Sequence, residues 1–367
     1  MEMIERVPYE CRQGDIAIAI DPDPGYGERP DLWPSVGEYP VYDPFLYASM
    51  STDAVRNNAF RQALRTMVEG RRVVDIGTGQ NLQWAVEAAA LGAKRVVAIE
   101  AIRRSHDAAA ARLSGRPEKA VIDLRFGSSY DIDLDAPAEV CVAELIGSIA
   151  SAEGMLAAMA DARARLLTPD ALVVPASCET LVGAVSLRSM FPEGLAFSAE
   201  SLPYLTDIFT LNGGPFDIRL AVANPDPASV SSTSGVVERL RFDGCEALEA
   251  TARVELDIHR EGPVDGLLCW IRLDAGAGAP VVDSLLEHTS WIPGYLPVFD
   301  TPAAARVGDV LTVEFERRTG ADGIHPDYTV RAALRTANGS IAGTSFSPYG
   351  GQYLGLSAVH RELFAPE

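Results

Sequence analysis

Lysine is nearly absent from this chain: Lys94 and Lys119 are the only two in 367 residues. Thirty-one Lys+Arg face 51 Asp+Glu, a formal net charge of −20. Negative charge spread evenly along a chain argues against nucleic acid and anionic membranes as partners. It suits a cationic substrate, and equally well a need for solubility alone. Cysteine is sparse too, at positions 11, 141, 178, 245 and 269. The number is odd and no pair has CxxC or metal-ligand spacing, so neither a disulfide framework nor a metal centre is expected, and a reducing cytoplasm fits. No window holds ~18 uncharged apolar residues, so no membrane-spanning helix is expected. The N-terminus, MEMIERVPYE, has no basic segment followed by an apolar core and does not read as a signal peptide. The Arg- and Ala-rich composition is that of a GC-rich bacterial genome.

What is present is ample material for a core, 47% apolar residues in a length that points to roughly two domains. Residues 1–50, rich in Pro, Tyr and acidic groups, read as an irregular leader and lid. Residues 51–69 begin with a cap-like Ser-Thr-Asp and place Val55, Ala59, Leu64 and Met67 at helical spacing. Short apolar runs then alternate with helical segments. Strands are expected at 71–77, 95–100, 120–127, 139–145 and 171–175, and helices at 81–91, 103–113 and about 153–167. Continuous Val/Ile/Leu runs in this order specify an α/β, Rossmann-like, doubly wound parallel sheet over 51–176. From 177 to 367 short β-rich segments such as GLLCWIRL and VLTVEFERR, separated by Gly, Pro and Asp, predict a mostly antiparallel barrel or sandwich. The stretch 188–218 interrupts it with Phe191, Phe197, Tyr204, Leu205, Ile208, Phe209 and Phe216, a lid or an oligomerisation arm.

VVDIGTGQN, 73–81, closes the first strand on a glycine turn. Gly77 and Gly79 let the backbone approach a ligand, and Glu100, ending the next strand 21 residues after Gly79, can accept hydrogen bonds from ribose hydroxyls. The third glycine of the dinucleotide fingerprint is missing, because Leu82 stands there. With Asp75 before the turn, the loop resembles that of S-adenosyl-L-methionine methyltransferases more than that of NAD enzymes. Asp75 is then expected to orient the loop and the methionine end of the cofactor.

Two glutamates raise a further question. Glu144 and Glu153 lie nine positions apart in ELIGSIASAEGML, 144–156. On one straight helix they would face opposite ways. A strand end, a bend at Gly147 and a helix start would instead bring both to one cavity. The pattern resembles the protein arginine methyltransferases, in which two such glutamates, with a Gly between them and a Met-Leu after the second, hold a guanidinium. MSTDAVRNNAFR, 50–61, is similar to that family's Met-x-x-Asp-x-x-Arg helix, and Tyr39 and Tyr42 in EYPVYD to its leader tyrosines. The resemblance runs over most of 39–320. It implies a cofactor domain, a β-barrel with a dimerisation arm at about 188–218, and a homodimer. It implies S-adenosyl-L-methionine as cofactor, held by Met50, Arg56, Asp75, Gly77, Gly79, Glu100, Ser128 and Ser129. Glu144 and Glu153 would be catalytic, and Tyr39, Tyr42 and Trp291 would meet the substrate.

The chemistry accounts for the two carboxylates. A guanidinium is a planar cation whose fork of donors a carboxylate matches, and its delocalised lone pairs make it a poor nucleophile. Two carboxylates can hold the cation, bias its charge and aim one nitrogen at the sulfonium methyl. The sequence departs from the family's pattern in two places. Leu145, Ser148 and Ala150 make the loop small, and Thr289-Ser290-Trp291 carries Ser where His is usual. His288 or His325 could supply an imidazole. Free arginine or a small guanidine competes with protein arginine as substrate, and the lack of a basic recruiting tail favours the small one, in a natural-product pathway. An O- or C-methyltransferase, a silent cofactor-binding partner and an NAD oxidoreductase are the other readings.

Overall fold

The computed structural model describes residues 4–10, 15–23, 27, 29–337, 339–351 and 353–366. The leader holds three strands, β1 (Glu5–Tyr9), β2 (Ile16–Asp21) and β3 (Asp31–Pro34), and then helix α1 (Pro44–Thr52). Helix α2 (Ala54–Met67) follows at once, because Asp53 ends one helix and caps the next, accepting from the Arg56 backbone N–H at 2.9 Å. The five central strands are β4 (Arg72–Ile76), β5 (Arg95–Glu100), β6 (Ile122–Phe126), β7 (Ala138–Ala143) and β8 (Leu167–Val174). Between them run α3 (Gln83–Ala90), α4 (Arg103–Leu113) and α5 (Met155–Arg165).

The five strands form one parallel sheet in the order β6-β5-β4-β7-β8. The chain winds outward from β4 to β6, then returns to place β7 on the other side of β4. That reversal opens a crevice at the carboxyl ends of β4 and β7, where ligands of such sheets sit. Burial explains the Val-rich strands: Val73, Val74, Val96, Val140 and Val142 are enclosed from both faces.

The second half is antiparallel and sheet-rich. The strands Ala250–Asp257, Val310–Thr319, Pro326–Thr336 and Gly339–Ser347 make one four-stranded sheet. A larger sheet includes Ser177–Val185, Gly266–Asp274 and Gly294–Pro297. The leader differs from the irregular segment expected of it, since β1, β2 and β3 belong to this larger sheet. β1 and β2 pair with each other as a local hairpin, and β2 also takes partners from far along the chain, Phe197–Ser198 and Phe364–Pro366.

The stretch read as an arm contains the strand Phe197–Ser198 and the helix Leu202–Asn212. Phe197, Tyr204, Leu205, Ile208, Phe209 and Phe216 are buried in the chain's own core, beside Ile18, Leu32 and Phe364. The apolar side chains that suggested a partner are thus covered within one chain. Among the described residues no helix is long and apolar enough to cross a membrane. Cys141, Cys178, Cys245 and Cys269 are free thiols, and Cys11 lies outside the described residues.

Candidate active site

A cavity of about 310 Å³ lies at the carboxyl ends of β4, β5 and β7, roofed by the leader and by the segments around 290–292 and 324–325. Every cofactor, catalytic and substrate residue expected from the sequence lines it except Asp75; of the two candidate imidazoles His325 lines it, and His288 is exposed and does not. Asp75 is buried behind the glycine loop, where its Oδ2 accepts from the Thr78 hydroxyl at 2.6 Å and its Oδ1 has no partner among the described residues. It therefore braces the loop from within and does not reach the cavity. Burial pushes its carboxyl up to about 7.

The glycine loop needs its glycines. Gly77 and Gly79 have φ of 74° and 65°, and a Cβ on Gly79 would stand 3.1 Å from the Tyr47 ring. Leu82, in the place of the third glycine, adopts a left-handed φ of 49° just before α3. Glu100 holds the loop from the next strand: its two oxygens accept from Gly79 N–H at 2.9 Å and Ile102 N–H at 2.7 Å. Burial raises its pKa despite these bonds. Ser128 caps the turn Ser129–Asp131, and both Ser128 and Ser129 line the far wall.

Glu144 follows the last residue of β7, at the switch point. One oxygen accepts the Trp291 indole N–H at 3.1 Å, and the other pairs with the Arg56 guanidinium. Arg56 is itself buried, with its guanidinium 5.3 Å from the centre of the Trp84 ring and 5.8 Å from those of Phe60 and Trp291. It donates to Asn57 at 2.9 Å and to the carbonyl of Met50 at 3.3 Å, while its Nε–H has no partner among the described residues.

Glu153 stands one residue before Gly154, the residue that caps α5 with a φ of 78°. It thus precedes the helix expected to begin with it. The Tyr42 hydroxyl, whose proton goes to the Gly37 carbonyl at 2.9 Å, lies 3.4 Å from Glu153 Oε2. Burial first, then the charges of Glu144 and Glu38, raise the Glu153 pKa well above the ordinary carboxylate range. The loop between the glutamates is pinned from the antiparallel half. Ser148 donates to the Ile292 carbonyl at 2.9 Å, Ser151 to Glu238 at 2.7 Å, and Ala150 N–H to Thr180 at 2.9 Å. Gly147 serves through close approach: a Cβ there would stand 2.8 Å from Glu38 Cγ.

Sequence reasoning missed Glu38. It is buried beside Tyr39 and ion-paired with buried Arg219 at 3.3 Å. Its only signal was its place in EYPVYD, next to the tyrosine that was noticed. Tyr39 stacks on Tyr349, with centroids 5.6 Å apart, and its hydroxyl accepts from Arg219 N–H at 3.3 Å. Ser290 meets Asp53 through its N–H at 2.6 Å and its hydroxyl at 3.0 Å.

No family model matches the chain. An arginine N(omega)-methyltransferase of Streptomyces achromogenes subsp. streptozoticus is 27% identical over 310 residues, 79% of each chain. A probable protein arginine N-methyltransferase 6 of Arabidopsis thaliana is 26% identical over 68% of this chain, which spans 58% of that relative. Among solved structures, Arabidopsis protein arginine methyltransferase 10 superposes with a TM-score of 0.66 at 18% identity, covering 83% of this chain and 98% of that one. The Trypanosoma brucei PRMT1 enzyme-prozyme heterotetrameric complex with AdoHcy gives 0.67 at 18% identity, covering 82% and 97%.

Proposed function

We propose that this relative of the arginine N-methyltransferases transfers the methyl group of S-adenosyl-L-methionine to a guanidinium nitrogen of free L-arginine or another small guanidine. The observation that carries it is the pair of carboxylates, Glu144 and Glu153, lining one cavity, with Glu144 already bonded to a guanidinium, that of Arg56.

The residues present fit the cofactor. The orphaned, buried Arg56 Nε–H suits a carboxylate, and the Gly77–Gly79 turn leaves open backbone where a Cβ would fill the cradle. Arg56 would hold the methionine carboxylate, Glu100 the ribose hydroxyls, and Met50, Ser128 and Ser129 the rest of the nucleoside and sulfonium end. The bound cofactor supplies an electrophilic methyl on a sulfonium. The chain's own task is to position and polarise. Glu144, fixed by the Trp291 indole, grips one edge of the substrate guanidinium. Glu153, held between Tyr42 and the Gly37 turn, grips the other and draws positive charge toward the nitrogens that do not react.

The acidic lining and the Streptomyces relative support the small substrate, in a bacterial cytoplasm and a biosynthetic pathway. The homodimer belongs to this proposal. Its contact would use residues other than the buried Tyr204, Leu205 and Phe209. Mass spectrometry of the protein with S-adenosyl-L-methionine and a panel of free arginine, arginine analogues and Arg-rich peptides tests the reading. A +14 Da product from free guanidines supports it; methylated peptides alone would move the substrate to proteins.

A further inference from the structure

One imidazole lines the cavity among the described residues, that of His325. Its Nδ1 is bonded to Asp322 Oδ2 at 2.5 Å, and Asp322 Oδ1 accepts from the His325 and Ile324 N–H groups at 2.9 Å. The ring lies flat on Tyr349, 3.9 Å between centroids at an interplanar angle of 2°. The opposite edge of the ring faces the turn after Glu153, since a Cβ on Gly154 would stand 3.7 Å from His325 Cδ2. Nε2, next to Cδ2, has no hydrogen-bond partner among the described residues. The ring thus joins the inside of the cavity to Asp322, which is exposed to solvent.

Methylation of a guanidinium creates a proton that has to leave. The substrate enters and the product leaves as monocations, while the sulfonium loses its charge, so each turnover releases one proton. The nitrogen lone pair forms the new N–C bond, the sulfur keeps the pair of the broken S–C bond, and one N–H proton needs an acceptor. Asp53 is answered by Ser290, a hydroxyl that takes no proton near neutrality. Glu144 and Glu153 are the clamp itself, and a carboxylate that kept the proton would lose its charge and its hold on the cation.

Resting on the proposed reaction, we infer that His325, oriented by Asp322, accepts at Nε2 the proton shed by the guanidinium and delivers it to solvent. Asp322 fixes the tautomer with the proton on Nδ1 and the lone pair on Nε2. The charged and titratable groups around the ring are Asp322 on its own loop, Tyr349 and beyond it Tyr39 on the stacked face, and buried Arg219 and Glu38 behind. Glu153 borders the cavity edge, and Tyr130 lies near Asp322. Burial outweighs Asp322 and lowers the His325 pKa below its ordinary value, which keeps the acceptor neutral at physiological pH.

The test uses the full-length protein with S-adenosyl-L-methionine and the best guanidine of the panel. His325→Phe keeps the stack on Tyr349 and removes the base. Turnover should fall about 10²-fold, a typical loss for a proton-transfer group, with melting temperature and both ligand affinities unchanged. Added imidazole should restore part of it. Asp322→Asn, a second variant in case the first folds poorly, should move the acid limb of the kcat–pH profile to lower pH, because a negative charge beside the imidazole is gone. If the wild type turns over and His325→Phe matches it at every pH, the proton acceptor is overturned and the methyltransferase reading stands. If the wild type methylates no guanidine, both fall together.

Discussion

Gly37 lies against Glu153: a Cβ on Gly37 would stand 2.6 Å from Glu153 Oε1, and the backbone there has a φ of 86° that side chains avoid. The same turn is held from both sides. Its carbonyl accepts the Tyr42 hydroxyl at 2.9 Å, and its N–H donates to Tyr204 at 3.2 Å. The leader therefore forms a wall of the site and sets where the second carboxylate can be.

Gly37→Ala should displace Glu153 without touching the nucleotide loop. A shift near 1 Å in such a group can cost about 10² in rate, so turnover should drop by that order while cofactor affinity holds. Steady-state kinetics with calorimetry check this. Normal turnover would show that Glu153 has more freedom than the geometry gives it.

Glu100→Ala removes the carboxylate assigned to the ribose and unfastens Gly79. Hydrogen bonds to a charged acceptor of this kind are worth on the order of 2–4 kcal/mol together. S-adenosyl-L-methionine affinity should fall accordingly, with a lower melting temperature from the loosened loop. Calorimetric affinity equal to the wild type would contradict the placement.

The raised Glu153 pKa predicts proton release on substrate binding. Between the ordinary carboxylate pKa and its raised value, Glu153 holds a proton in the folded protein. An arriving guanidinium favours the ionised form and expels that proton, so affinity should rise with pH across this window. Titrations of guanidine in buffers of different ionisation enthalpy should show up to one proton released by the wild type and none by Glu153→Gln. Equal enthalpies in all buffers for the wild type would mean that Glu153 is ionised beforehand.

Much of this was legible locally. The parallel strands announced themselves because burial on both faces demands unbroken runs such as Val73-Val74, and antiparallel strands such as Gly266–Asp274 fell where their apolar runs ended in Gly and Asp. The glutamate pair was legible through its spacing and the residues around it. What escaped depends on partners distant in sequence. Ile16, Ile18 and Ile20 form a hairpin with Glu5–Tyr9, but what carries that hairpin into the larger sheet is the pairing with Phe197 and Phe364, which nothing in a Pro-rich leader signals. The same is true of the stretch 188–218, whose apolar residues read as a surface for another copy until the leader is seen to cover them. Gly147 was read as a bend, yet its need is space for Glu38, a side chain more than one hundred positions away.

The central claim is that Glu144 and Glu153 act together on one guanidinium, and turnover of Glu144→Gln, Glu153→Gln and the double variant tests it most directly. The substitutions keep shape and remove charge. Loss of one pre-organised electrostatic contact typically costs roughly 10²–10³ in turnover. Each single variant should fall about that far, the double variant by much less than the product because the pair works as a unit, and cofactor affinity should stay close to the wild type. Near-normal turnover in either single variant would contradict the clamp.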